Sequence, residues 1–449
     1  QWDKDDIDDA GFVKIDFLAL GALSQLQEIL ILVEDRLGKT IDISRVDFED
    51  SNVYDMLCSG DTVGIFQVES AAQMQTITRI KPRNLNDMAY EVACVRPGVG
   101  VHDGVRHFIR RRNGKEQITF DHPLEIRALE RTLGIVLYQD QINQLAIDIG
   151  GFSPFEADQL RRSFGVKYDN REVIQSYWYR FKNGAFKKGV DENSALKIFM
   201  KFNGYYMFPE SHAVAFGVTA YQLAWLKYHH PLEFFTALIN QQPMGFWGLE
   251  TIKENARRHK ITVLNPDINL SYRKCVIENN SIRLGLLNVL KIGKATSDLI
   301  INERNINGLY NSISDFVDRV GLKNNDAKNL IKSGAFESLN KDKRALLWEL
   351  GLVNKPKFKQ PSIRFPLSPN MVSLNLLNDW ESMLMEYKTL GIYPKDHLMR
   401  KLRPHLPKNF ISSYDLESCD DGENITIGGL VARPLQHPLA NAYFVSLED

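Results

Sequence analysis

Cysteine is scarce in this chain, with four in 449 residues, at 58, 94, 275 and 419. None stands at a CxxC or Cys/His metal spacing, which argues against a zinc site and a disulfide-stapled fold. The four thiols read as reduced core groups of a cytoplasmic protein. No apolar run is long enough to span a bilayer, and no signal-peptide pattern opens the chain. Neither sign of charge prevails. The 55 Lys and Arg against 56 Asp and Glu leave −1, so any contact with nucleic acid must come from local clusters. An initiating Met is also missing, and the chain stops at SLED inside an apparent strand. An internal piece of a longer protein is the expectation.

What is present is ordinary globular material, 44% apolar and 25% charged, long enough for about three domains of ~150 residues. Residues 11–23, GFVKIDFLALGAL, read as a short buried strand (Phe12 to Phe17) running into an apolar helix. Val13, Ile15 and Phe17 share one face, Lys14 and Asp16 the other. A carboxylate there is costly to bury unless a cation meets it. Asp16 is therefore a candidate Mg²⁺ ligand and Lys14 a candidate phosphate partner. The plainer reading is an edge strand with two solvated charges.

Residues 51–70 predict a helix, a Gly60-Asp61 turn and a strand Val63–Val68; residues 71–95 predict helices broken at Lys81-Pro82-Arg83. The strongest basic cluster lies in 96–115. Arg106, Arg110, Arg111, Arg112 and Lys115 face only Asp103 and Glu116, and Arg96-Pro97-Gly98 begins a tight turn. This is either a solvated helix face or a track for phosphates. Over 123–167 two helical segments are expected, with Ile135, Leu137, Ile142 and Leu145 in the core. The second carries Arg161, Arg162 and Lys167, with Gly165 as C-cap. Paired guanidiniums suit a triphosphate, because their planar forks match phosphate oxygens. Residues 171–240 predict mostly helix. Gly204 and Pro209 punctuate a loop, after which Ser211 and His212 open a long helix burying Val214, Phe216, Tyr221, Leu223 and Leu226. Its N-terminus, with free N–H groups beside Ser and His, is a candidate anion or base site. A capped core histidine is the plainer alternative.

The succession KIDFLAL, DTVGIFQVES, VRPG, GIVLYQDQ, GFSPFEADQLRR and SHAVAFGVTAYQLAWLKYHHP, in this order, resembles the catalytic core of the bacterial DNA polymerase III alpha subunit, the C family, from end to end. The QWDKDD opening, FPESHA, QQPMGFW, ARRHKITV and KRALLWE look most like the error-prone, translesion branch; the replicative branch is the alternative. The resemblance implies a mostly helical α+β fragment. Residues 1–50 would be the end of a nucleotidyltransferase-type palm and 51–260 helical fingers. Residues 261–350 would be a helix-hairpin-helix domain of the clamp-binding type, 351–423 a linker with helices, and 424–449 the start of an OB-fold β-barrel.

It also implies roles. Asp16 matches the third metal-binding aspartate of the palm; the other two belong to a PDIDxDF-type motif that this sequence does not contain. Lys14 matches a palm lysine near the phosphates of the incoming nucleotide. Arg96, Arg161 and Arg162 match basic finger positions, and Ser211 and His212 a finger motif bordering the same pocket. The implied reaction is attack of a primer 3′-hydroxyl on the α-phosphate of a deoxynucleoside triphosphate, aided by two Mg²⁺ ions. Primer–template DNA and deoxynucleotides are the implied partners, with the sliding clamp reached through accessory proteins and no membrane. With one aspartate the isolated 449 residues are expected not to extend a primer. A binding body without catalysis is the contrasting reading.

Residues 282–304 resemble a first hairpin: an apolar helix, a turn at Lys291-Ile292-Gly293, and a second helix from Lys294. In such hairpins backbone N–H groups hold a DNA phosphate, and Lys291 replaces the usual first glycine. Residues 321–339 resemble the second hairpin; plain helical packing is the other reading. Gln360, Ile363 and Phe365 form a partial clamp-peptide pattern within a Pro- and Lys-rich linker, 351–375. Helices are expected in 380–406, and first OB-fold strands from Asn424.

Overall fold

A computed structural model describes residues 7, 10–13, 15, 20–95, 103–164, 171–202, 208–353, 374–407, 409–436 and 443–449. Lys14, Asp16, Arg96, Gly165, Lys167, Gly204 and the 360–365 pattern lie outside these residues. The chain forms two compact units, one of residues 1–41 with 232–449, the other of residues 42–231.

The first unit opens on α1 (Gly21–Leu37), whose buried Ala22, Gln25, Ile29 and Val33 recur at helical spacing; Gly38, at φ 63°, ends it. Before it, Phe12, Val13 and Ile15 belong to no regular element and are exposed. The expected buried strand over 12–17 is therefore not formed by the residues described there. A half-buried strand needs a sheet to lie on, and no described strand pairs with it.

The second unit is helical: α2 (Ser51–Cys58), α3 (Ala71–Ile80), α4 (Leu85–Cys94), α5 (Asp103–Arg112), α6 (Ile126–Leu129), α7 (Gln139–Asp148), α8 (Pro154–Ser163), α9 (Arg171–Lys187), α10 (Glu192–Met200) and α11 (Glu210–His229). Polar residues start these helices where the sequence puts them. Asp50, Asn84 and Asp191 each accept a first-turn N–H. Ser70 with Gln73, and Ser153 with Glu156, form reciprocal capping boxes. Each such cap is worth about 1 kcal/mol.

Residues 63–68 are a run of turns, not the expected strand. Gly64 and Gln67 sit at φ 78° and 66°, the Gly64 N–H donates to Glu69 at 3.0 Å, and the Thr62 hydroxyl donates to the Val68 carbonyl at 2.7 Å. The fully buried Lys227 donates to Asp61 Oδ1 at 2.8 Å and to the Val63 carbonyl at 3.1 Å. Loop carbonyls thus meet an ammonium from α11 instead of a neighbouring strand.

Among the described residues, two apolar clusters of this unit position the candidate site. One joins α4, α5, Leu137, Tyr138 and Ala213. The other joins α6 to α10 around Phe181, Phe199 and Phe202, whose rings meet at 5.5 Å. Ile135 and Phe216 are only half-buried, each packed against the first of these clusters, and Val214 is exposed, against expectation.

Returning to the first unit, α12 (Pro231–Asn240) and α13 (Leu249–Arg258) lead to a sheet of β1 (Thr262–Leu264), β2 (Val276–Glu278) and β3 (Ser281–Arg283). β3 lies centrally, parallel to β1 and antiparallel to β2. A helical bundle follows: α14 (Lys294–Asn307), α15 (Ile313–Val320), α16 (Asn324–Lys332), α17 (Lys343–Val353), α18 (Asp379–Leu390) and the short α19 (Leu398–Leu402). β4 (Phe410–Ile411) pairs in parallel with β5 (Thr426–Ile427). β6 (Leu430–Gln436) pairs antiparallel with β7 (Tyr443–Glu448), with a bulge between Val431 and Arg433. The apolar helix expected before Lys291 is instead β3 and one 3₁₀ turn, Leu286–Asn288. Its Ile282 joins the sheet centre, where β-branched side chains pack well. Cys94 and Cys275 are buried, whereas Cys58 and Cys419 are partly exposed, so two of the four thiols depart from the expected core placement; no two are bonded. No helix among the described residues is long and apolar enough to cross a membrane.

Candidate nucleotide and DNA interface

The segment entering α7 organises the second unit's polar centre. Gln141 locks it: Oε1 accepts the Leu137 and Tyr138 N–H groups at 2.7 and 3.0 Å, and Nε2 donates to the Ala128 carbonyl and Thr132. The two residues before Gln141 then reach outward. Gln139 Oε1 accepts from Arg161 Nη1 at 2.9 Å, and its N–H donates to the Phe208 carbonyl. Asp140 Oδ2 accepts the Glu210 N–H at the start of α11, at 2.7 Å. Glu210 pairs with Arg131 at 2.6 Å.

Three separated motifs, GIVLYQDQ, the Arg161-Arg162 pair and the start of α11, are therefore joined by direct bonds. Arg161 and Arg162 share one carboxylate, Asp158, at 2.6 and 2.8 Å. The Arg161 hydrogen bond, with Arg162 beside it, holds that carboxyl below its usual range. Arg161 is 25% exposed and Arg162 73%, so Arg162 is the more open to a ligand.

The start of α11 differs from expectation. Its first N–H meets Asp140, and the His212 and Ala213 N–H groups bond the Pro209 carbonyl. The partial positive charge there has drawn in a carboxylate of the chain itself. Ser211 and His212 are exposed, and the His212 ring stacks between Phe208 and Phe216, at 5.0 and 4.1 Å.

The basic cluster divides by use. Arg111 bonds Glu116, Thr119 and the Leu133 carbonyl. Arg112 bonds the Ile80 carbonyl at 2.7 Å and Asp87 at 2.7 Å. Asp87 is an acidic partner that the sequence reading did not assign. His107 and Arg111 hold the Glu116 carboxyl below its usual range. Arg106, Arg110 and Lys115 are exposed, while Arg111 and Arg112 are half-buried.

Among the described residues no hydrogen-bond partner meets the buried Tyr138 hydroxyl or either carboxyl oxygen of the buried Glu91. Burial raises the Glu91 carboxyl well above its usual range. Neither residue stood out in the sequence as a buried polar group.

In the first unit Lys291 takes φ 66°, the left-handed position that glycine usually fills. Ile292 is buried, Gly293 caps α14, and Lys291, Gly293 and Lys294 are exposed. A second turn of the same form joins α15 to α16, with Gly321 at φ 65° and Lys323 as N-cap. No ion pair holds Lys291, Lys294 or Lys323 among the described residues.

Among the described residues no three His, Cys, Asp or Glu side chains stand where they could hold a metal ion. The described residues do not by themselves make the expected Mg²⁺ site, and Asp16 lies outside them.

Residues 22–189 match the bacterial DNA polymerase III alpha subunit finger domain, and residues 260–346 a helix-hairpin-helix motif. Over its whole length the chain is 35% identical to the error-prone DNA polymerase of Corynebacterium diphtheriae and 37% to that of Mycolicibacterium paratuberculosis, covering 43% and 42% of those proteins. It is 34% identical to the error-prone DNA polymerase of Dechloromonas aromatica, covering 44% of it. The chain thus spans less than half the length of these curated relatives. Residues 22–189 belong to the finger-domain family of the bacterial DNA polymerase III alpha subunit.

Proposed function

We propose that this chain supplies the fingers and a DNA-holding region of a cytoplasmic, template-directed DNA polymerase that carries out error-prone synthesis. The observation that carries the reading is the similarity, along the whole of this chain, to proteins named error-prone DNA polymerase in three bacteria. The bonded cluster of Arg161, Arg162, Gln139 and the start of α11 supports it, since triphosphate binding calls for guanidiniums held in register. Arg161 and Arg162 are assigned to the triphosphate, and Lys14, Arg96, Ser211 and His212 are assigned roles in binding the same nucleotide. Arg106, Arg110 and Lys115 are assigned to the DNA backbone. In the first hairpin, Lys291 and Lys294 supply charge, and the N–H groups of Gly293 and Lys294 take a phosphate of duplex DNA. Asp16 is assigned as a Mg²⁺ ligand, and no step is drawn through the metal. An OB-fold from residue 424 and a sliding clamp reached through accessory proteins complete the assignment.

Primer extension by a full-length polymerase carrying this chain tests the reading. Asp16→Asn abolishes incorporation while duplex binding stays near wild type. The double change Arg161→Ala and Arg162→Ala raises KM for deoxynucleotides; an unchanged KM would return both residues to a structural role.

A further inference from the structure

We infer that helix α18, almost 90 residues beyond the first hairpin, positions that hairpin for DNA, with Asn329 of the second hairpin's helix as its partner in the task. The inference rests on the reading that the first hairpin holds duplex DNA. It starts from Leu290, the residue just before Lys291. Its N–H donates to the Thr389 carbonyl at the end of α18, at 2.8 Å. Its own carbonyl accepts from Asn329 Nδ2 on α16, at 2.9 Å. Leu290 is 50% exposed, so packing alone does not fix it; these two bonds do. Immediately afterwards the chain turns through the left-handed Lys291, buries Ile292, and opens α14 at Gly293. The direction in which the Gly293 and Lys294 N–H groups point follows from how Leu290 is held.

The far side of this grip is firmly founded. Thr389 is buried, and its hydroxyl returns to the Met385 carbonyl at 2.8 Å. One turn earlier Glu386, fully buried, pairs with the buried Lys343 of α17 and accepts from Asn265 Nδ2 at 3.1 Å. Arg344 pairs with Glu381 at 2.9 Å. α18 is thus anchored to α17 and to the sheet's exit, and it passes that anchorage to the hairpin through one backbone bond. Such a bond transmits position, because a carbonyl at the end of an anchored helix has little freedom to follow a moving donor.

Duplex binding by the full chain over a salt series tests this. Asn329→Ala removes one of the two bonds without touching a lysine. It should weaken duplex binding several-fold and lower the slope of log K against log salt by about one, the loss of one phosphate contact. Asn329→Gln, which keeps an amide donor, should recover part of both, and the urea midpoint should stay close to wild type. Added to Lys291→Ala with Lys294→Ala, Asn329→Ala should bring little further loss, because all three act through one contact. If the lysine pair weakens binding but Asn329→Ala leaves affinity and slope unchanged, or its loss adds in full, the positioning role is overturned. If the lysine pair itself has no effect on duplex binding, the reading of the hairpin as a DNA contact falls instead.

Discussion

In the first hairpin Lys291 holds the left-handed position and Gly293 caps the helix; in the second Gly321 holds it and Lys323 caps. The two turns have φ of 66° and 65° at that position, so the fold asks for the same backbone from opposite residues. In a lysine that geometry is held against a steric cost of roughly 1–2 kcal/mol. The surroundings differ as well. The first hairpin is tied on both sides of Leu290, to α18 and α16, and that support accounts for a strained lysine surviving at the turn. The second has a glycine that meets no other atom where a Cβ would stand, and is relaxed without such help. The pair teaches that cation placement in these turns is set by neighbouring support as much as by turn chemistry.

The comparison can be broken at its foundation. Glu386→Leu leaves the buried Lys343 with only its longer carboxylate contact, to Glu337 at 3.6 Å, and breaking a buried pair in this way typically costs about 3–5 kcal/mol. Hydrogen exchange should quicken in α17, α18 and the first hairpin, and far less in the second hairpin.

A second contrast sharpens the first, since the other unit buries a carboxyl that no described residue hydrogen-bonds. Glu386 has Lys343 and Asn265, whereas among the described residues Glu91 has no hydrogen-bond partner. Burial raises the folded-state value of Glu91 above its unfolded value. The stability this group allows is therefore complete below about pH 4.5 and declines as pH rises toward the folded value. Glu91→Gln should flatten that decline and make the chain more stable than wild type at neutral pH, by about 1–3 kcal/mol. Thermal unfolding across pH checks it; parallel curves for the two proteins would contradict the assignment.

Exchanging the turn residues gives the smallest effects. Gly321→Lys should destabilise the chain by about 1 kcal/mol. Lys291→Gly should relieve part of the strain in the first turn, a gain of under about 1 kcal/mol, while lowering the salt slope of DNA binding. Urea unfolding of both variants measures the pair.

Much of the helical scaffold was readable in sequence because its signals are local. Ser70, Asn84, Ser153 and Asp191 stand where the caps form, and the break at Lys81-Pro82-Arg83 separates α3 from α4. The failures involve partners remote in sequence. Residues 63–68 alternate like a strand until Lys227 of α11 takes the Val63 carbonyl, with that of Asp61 just before it. The start of α11 reads as an open anion site until Asp140 arrives from 70 residues away. Arg112 reads as surface charge until Asp87 meets it. The left-handed Gln67 carries no sequence mark, because glutamine does not seek that conformation, whereas Lys291 is marked only by the resemblance, which puts a glycine at its place. In the candidate site the apolar residues of GIVLYQDQ show in the sequence as core, while its polar ones, Gln139 and Asp140, make the connections.

The bonds from α18 have a practical result for the integrity of the polypeptide. Residues 353 and 374 flank a stretch bridged by the Lys343–Glu386 and Arg344–Glu381 pairs and by the Leu290–Thr389 bond. A protease nick anywhere between them should yield two pieces that still travel together through a sizing column and separate only in denaturant.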